Sequence, residues 1–351
     1  MDHPPIFDGH NDVLTRIFRS RADAVADFRD GEIGHIHAGT ARRGGLGGGF
    51  FAVWAPSPVN LADLTEEMQR DAYDLPLPEP VGQAEALQTA MTQISDLARL
   101  ETAGLVRIVT DADRLEACLR DGTFAAILHF EGAEPIDRDL RALEVFYRAG
   151  LRSLGPVWSR NTMFAEGVPF RFPATPDAGG GLTEAGKRLV AACNEIGIML
   201  DLSHLNEAGF WDVADISSAP LVATHSNAHA LCPHARNLTD RQLDRIAETD
   251  GMVGVSFATA FLRPDGKMDA DTPLDLLMAH FDYLIERLGE DLVGFGSDFD
   301  GALAPREIGT AADLPAVRKA MVARGYAPER IEKLCWRNWV RVLRRTWKED
   351  R

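Results

Sequence analysis

Six residues of this chain have types suited to binding a metal ion or moving a proton, and each closes a short apolar run. The first two lie in Asp8-Gly9-His10-Asn11-Asp12. Side chains two apart in an extended chain point the same way, so Asp8, His10 and Asp12 share a face. A histidine beside a carboxylate is half of a metal site, although His-x-Asp also arises by chance as a hydrogen-bonded pair. Glu131 follows Ala-Ile-Leu-His-Phe, a setting in which an unpartnered carboxylate is costly to bury. The plainer alternative there is a loop carboxylate that reaches solvent. His204 ends Leu-Asp-Leu-Ser-His, His225 ends Val-Ala-Thr-His, and Asp298 ends Gly-Phe-Gly-Ser-Asp. Any one buried histidine is more often structural, satisfied by hydrogen bonds in a core. Joint placement changes that balance. Three imidazoles and three carboxylates cannot be buried together without a cation to offset repulsion and fill lone pairs. A mixed nitrogen and oxygen set suits zinc, with manganese and iron as the alternatives. Five ligand-type residues are too many for one ion with an open position, whereas two ions sharing a carboxylate accommodate them.

The elements that must position these residues follow from hydrophobic patterning. Eight short apolar runs recur: Pro5–Gly9, Gly49–Trp54, Ala125–Gly132, Ser153–Trp158, Ile198–His204, Leu221–His225, Met252–Phe257 and Leu292–Asp298. Several are near-continuous β-branched or aromatic stretches, as strands buried on both faces require. Helical patterns fill the intervals, among them Ala84–Ala103, Arg138–Ala149, Thr183–Glu195, Asp240–Asp250 and Leu274–Leu288, with N-caps expected at Thr183 and Thr239. Eight strand–helix units predict an α/β fold, a (β/α)8 TIM-type barrel in which residues 1–351 form a single domain. All six candidate residues then lie at strand C-termini and converge on one mouth. Asn60–Pro80, Arg160–Gly181 and Pro264–Pro273 fall outside the rhythm and follow strands two, four and seven, on the face where barrel enzymes build their sites.

Composition narrows the partners. A formal net charge of -16 disfavours nucleic acid and anionic membrane surfaces. The four cysteines, Cys118, Cys193, Cys232 and Cys335, form no C-x-x-C pair, which argues against zinc ribbons and disulfide scaffolds. No secretory signal and no span of ~18 apolar residues is visible, so a cytoplasmic protein is expected. The Gly44–Gly49 run, GGLGGG, lacks the Lys-Ser/Thr ending of a phosphate loop and precedes a strand. It is better read as a tight entry into strand two.

The motifs F-D-G-H-N-D, F-E-G, L-D-L-S-H, T-H-S-N-A-H, A-R-N-L-T-D and G-S-D-F-D-G, in that order over nearly the whole chain, resemble those of the membrane (renal) dipeptidase family of zinc peptidases, within the amidohydrolase-like barrels. The resemblance implies a dipeptide substrate and two Zn2+ per chain. By it, His10 and Asp12 bind one zinc, His204 and His225 bind the other, and Glu131 bridges them. It further implies hydrolysis by a metal-bridging hydroxide, with Asp298 handling its proton, Arg236 contacting the substrate, and a homodimer. Two positions depart from the family. Trp158, in Val-Trp-Ser-Arg-Asn-Thr, stands where relatives carry a histidine that binds the substrate or its transition state, and Ala258 replaces a tyrosine. An indole has a donor and an apolar face but cannot titrate, so Trp158 is expected to shape the pocket, with a core residue at a strand end as the alternative. Cys232 matches a disulfide cysteine of secreted relatives and is expected to be free here. His129 is expected to support the site or the core, and His229 and His234 to be solvated loop residues, with contact to substrate as the alternative. Two rivals remain: an amidohydrolase for N-acyl amino acids, lactones or other amides, and a catalytically dead metal-binding relative.

Overall fold

The computed structural model describes residues 3–57 and 61–347, with backbone only at 61–63. Eight parallel strands form its centre: β1 (Ile6–Asn11), β2 (Leu46–Val53), β3 (Ala125–Glu131), β4 (Leu151–Gly155), β5 (Met199–Leu200), β6 (Val222–Ala223), β7 (Met252–Val255) and β8 (Val293–Phe295). They neighbour one another in the order β5-β4-β3-β2-β1-β8-β7-β6. The remaining seam, β5 to β6, is joined by a parallel bridge between Asp201 and Val222, and Leu202 N donates to Val222 O at 2.9 Å. The (β/α)8 architecture expected from the sequence is therefore present. All eight expected runs are strands, most of them trimmed at their ends.

Residues of β1 and β3 are buried throughout, because barrel strands face the interior on one side and the helical layer on the other. The lower interior is filled by Phe7, Phe50 and the indole of Trp339. Trp339 Nε1 donates to Phe295 O at 3.0 Å. A Cβ at Gly9 would collide with that indole and with the carbonyls of Thr224 and Phe295, which is why a glycine stands there.

Helices at Glu184–Ile196 and Asp240–Glu248 start as expected. Thr183 Oγ1 accepts from Gly186 N, and Thr239 forms a capping box with Gln242. The helix expected from Arg138 begins only at Arg141. Leu140 takes φ 62°, and Ala142 N donates to Asp137 Oδ1 at 2.7 Å, which delays its first turn. Above the barrel, the loops after β2 and β4 join in a small antiparallel ribbon of Tyr73–Asp74 and Arg171–Phe172. Asn60 of the expected Asn60–Pro80 stretch lies outside the described residues. No helix among those described is long and apolar enough to cross a membrane.

Candidate metal centre and substrate pocket

Each candidate residue reaches the mouth by a local device. β1 is anchored low by Asp8, whose carboxylate accepts from Ser297 N and Ser297 Oγ, both at 2.6 Å, so it is turned away from the cluster. Two residues on, His10 projects into the mouth. Asp12 is the N-cap residue of the helix Val13–Ser20, but its carboxylate makes no capping bond; it approaches His10 Nε2 at 3.2 Å instead. Glu131 ends β3. His204 and His225 follow β5 and β6, and the second nitrogen of each ring is held: His204 Nδ1 by Ser159 Oγ at 2.9 Å, and His225 Nδ1 by Thr224 Oγ1 at 2.8 Å. Such bonds fix ring orientation and the nitrogen left free for a metal.

The free nitrogens meet at one atom. Glu131 Oε1 lies 3.0 Å from His204 Nε2 and 3.6 Å from both His10 Nε2 and His225 Nε2. His204 Nε2 and His225 Nε2 are 3.0 Å apart. Ligand atoms on a tetrahedral zinc at about 2.1 Å lie roughly 3.4 Å from one another. The observed spacings match that, and His10 Nδ1 is buried without a partner. The donor set therefore fits divalent metal, with three groupings that share His10: His10, Glu131 and His225; His10, Asp12 and Asp298; and, below them, His10, His129 and Asp201.

Electrostatics of the cluster point the same way. Burial pushes the Glu131 carboxyl well above the usual carboxylate range. Burial together with Arg236 and His10 holds His204 and His225 well below the usual imidazole range. Burial works against a charged His10, but Glu131 and Asp12 outweigh it and push that ring up to about 10. With the exception of His10, the burial that disfavours charge on Glu131, His204 and His225 leaves neutral imidazole nitrogens beside a carboxyl, the donor state that a metal ion requires of histidine. Asp298 enters from the other side of β1. Its backbone is at φ 62°, its N donates to His10 O at 3.1 Å, and burial raises its carboxyl to about 7.

Over the cluster lies a pocket of about 320 Å³, near the lower bound for small-molecule sites. Asp12, Glu131, His204 and Asp298 form its floor, and Trp54, Trp158, Phe170, Phe261, Met68 and Met268 contribute apolar walls. Trp158 is half-buried, packs edge-on against Trp54 at 5.0 Å and tilts over His204 at 5.7 Å between ring centres. Its indole thus faces the pocket rather than the barrel core. Ala258, in the family's tyrosine position, also lines the pocket.

Arg236 is buried behind His204. It donates to Ser203 O and His225 O, stands 3.3 Å from His204 Nε2, and packs on Phe261. No carboxylate pairs with it among the described residues, and its Nε is unpartnered.

Two further residues, Asp201 and Arg160, bear on the site without having been singled out by type and spacing. Asp201 accepts from Ser203 N, Ser203 Oγ, Thr224 N and Thr224 Oγ1 at 2.6 to 3.1 Å, tying β5 to β6 below the two histidines. Its signal was available: it is an acid inside the apolar L-D-L-S-H run. Arg160 is fully buried and donates twice to Glu134 Oε1, at 3.0 and 2.6 Å, beneath Trp54 and Trp158. His129 is buried with Nδ1 on Ser153 Oγ at 2.9 Å, in the expected supporting position. His234 corrects the expectation of solvation: it is fully buried against Phe261 at 4.6 Å, because the loop after β6 folds back under the Tyr73 ribbon. His229 is half-buried, with Nε2 on Ala174 O at 3.0 Å. Cys232 is a buried free thiol, as are the other three cysteines.

Known proteins are similar to this chain in sequence and fold. The family model for membrane dipeptidase (peptidase family M19) matches residues 1–350. An uncharacterized protein in the pqqA 5' region of Klebsiella pneumoniae is 48% identical over 248 residues, 71% of this chain and 92% of that protein. The dipeptidase tcpJ of Claviceps purpurea is 30% identical over 348 residues, 96% of this chain and 76% of its own. A solved metallo peptidase from Rhodobacter sphaeroides, liganded with a phosphinate mimic of the dipeptide L-Ala-D-Ala, superposes with a TM-score of 0.97 at 50% identity, covering 98% of this chain and 100% of the other. With a metal-ready cluster at the mouth of a (β/α)8 barrel and a full-length family match, the chain belongs to peptidase family M19, the membrane dipeptidases, and is a metal-dependent dipeptidase.

Proposed function

We propose that the chain hydrolyses dipeptides at two zinc ions, with His10 and Asp12 holding one, His204 and His225 the other, and Glu131 shared between them. The convergence of three imidazole Nε2 atoms on one Glu131 oxygen carries this reading. When bound, the metal pair supplies a water acidified to a pKa of ~7 and Lewis acidity at the scissile carbonyl. Asp298, on the pocket floor, takes the proton of that water and delivers it to the leaving amine, first base and then acid. Arg236 offers a buried, carboxylate-free guanidinium to the terminal carboxylate of the substrate. Trp158 and Trp54 exclude water and pack the side chains. The phosphinate mimic of L-Ala-D-Ala held by the Rhodobacter relative supports a dipeptide substrate, one with a D-configured C-terminal residue included.

The test uses protein loaded with zinc, assayed for metal content and for hydrolysis of L-Ala-L-Ala, L-Ala-D-Ala and N-acetyl-alanine. About two metals per chain and turnover of a dipeptide in preference to the N-acyl compound are expected. Dipeptide rates no higher than those of a metal-stripped control, or a reproducible stoichiometry of one after full loading, would overturn it.

A further inference from the structure

We propose that Arg19 makes this enzyme selective for dipeptides whose N-terminal residue has a carboxylate side chain, an inference that rests on the dipeptidase reading above. Arg19 sits in the last turn of the helix Val13–Ser20, which follows directly on Asp12. Residues 12, 15 and 19 are spaced three and four apart, which places them on one helix face. Asp12, Thr15 and Arg19 all line the pocket. Thus the strand end that positions the cluster also leads into the helix that carries a cation to the pocket rim.

That cation is held in place. Its guanidinium lies over the Trp54 ring at 5.0 Å, and Trp54 is clamped from its other neighbours by Trp158 at 5.0 Å and by Arg160 at 5.8 Å. Arg160 is itself locked to Glu134, Ser57 Oγ and Ala55 O. Stacking on an indole orients a guanidinium while leaving its N–H fork free for an anion in the ring plane.

Among the described residues lining the pocket, Arg19 is the only lysine or arginine, and the carboxylate that acts on it electrostatically is Asp12. The acids that share the pocket have other tasks. Asp12 and Glu131 belong to the metal cluster and Asp298 to the proton. The Asp300 side chain is buried and accepts from His35 N at 2.6 Å and Arg16 at 3.1 Å. The Arg19 fork is met by an anion that arrives with the substrate. Its position fixes which residue brings it. Arg236 borders His204 and His225, whereas Arg19 is on the Asp12 side. A dipeptide whose terminal carboxylate faces Arg236 turns its N-terminal residue toward Arg19.

Glu-Ala and Gln-Ala differ by a charge at nearly constant shape, so their kcat/KM ratio on the zinc-loaded enzyme isolates the effect, with alanine supplied in each configuration. Glu-Ala should exceed Gln-Ala by about tenfold, the scale of one charge-assisted pair discounted for an exposed rim, and Lys-Ala should be slowest. Arg19→Gln should bring the Glu-to-Gln ratio to about one, while Arg19→Lys should keep part of the preference. The Lys variant also reads out charge if the Gln variant folds poorly. A wild-type ratio near one, or a preference that persists in Arg19→Gln, overturns the inference and leaves Arg19 as a surface cation stacked on an indole. Failure of the wild type to cleave these peptides or Ala-Ala would overturn the dipeptidase reading and the inference with it.

Discussion

Asp298 is placed by its backbone rather than by its side chain. Its φ of 62° and the bond from its N to His10 O aim the carboxyl at the cluster; a position that L-residues adopt at some cost marks a site where geometry is over-determined by its surroundings. Asp298→Asn keeps shape and backbone but removes the base. Its kcat should fall ~100-fold or more with metal content retained, whereas Glu131→Gln, at the point where three imidazoles meet, should lose metal itself. Parallel metal analysis and steady-state kinetics check both; near-normal kcat in the Asn variant would remove Asp298 from the reaction. Trp158 poses a different question, since an indole at this position can pack or donate but cannot carry a proton. If packing is its role, Trp158→Phe should hold kcat within a few-fold and alter which dipeptides are accepted. Loss of ~10²-fold would instead indicate an oxyanion donor.

At the scale of elements, the helix Leu274–Leu288 is tied to the site loops by His280. Its Nδ1 accepts from Ala228 N and its Nε2 donates to Leu262 O, both at 3.1 Å, so the ring must be neutral to serve both. Burial lowers it to about 4, against the bond to Leu262, which favours the charged form. A base whose folded pKa is depressed gives stability that is full above its unfolded value near 6.5 and declines as pH falls toward 4, because only the unfolded chain takes up the proton. That contribution is on the order of 3 kcal/mol across the window. His280→Gln, which can still accept and donate, should therefore show a smaller drop in urea midpoint between pH 7 and pH 5 than the parent chain; an equal drop would mean the ring does not titrate on unfolding. The elements themselves were readable because each strand is an apolar run ending in a polar group, a local pattern. Their ends were less so. The fifth strand shrank from Ile198–His204 to Met199–Leu200: beyond it Asp201 keeps only a single bridge to Val222 while its side chain binds Ser203 and Thr224, and no pattern along the chain reports a bond to residue 224. Arg160, Glu134 and Arg19 escaped for the same reason: their meaning lies in what distant loops bring to them. The metal candidates were legible because their types are costly to bury and all fall at strand ends.

Across the whole molecule, the site is assembled from the two ends of the barrel order. Asp8 of β1 pairs in register with Phe295 of β8, and Ser297 binds the Asp8 carboxylate. The lower interior is stoppered by Trp339, only a few residues from the end of the described chain. During synthesis these follow every residue of the cluster but Asp298. A ribosome that has delivered His10, Asp12, Glu131, His204 and His225 still lacks the strand that borders β1 and the indole that fills the space beneath it. Until then two parallel edges stand open, of the kind that pairs with other chains, and contacts spanning nearly the full sequence are slow to form. The nascent chain thus carries all five of the proposed metal-binding side chains on an unclosed barrel until β8 and Trp339 have been made.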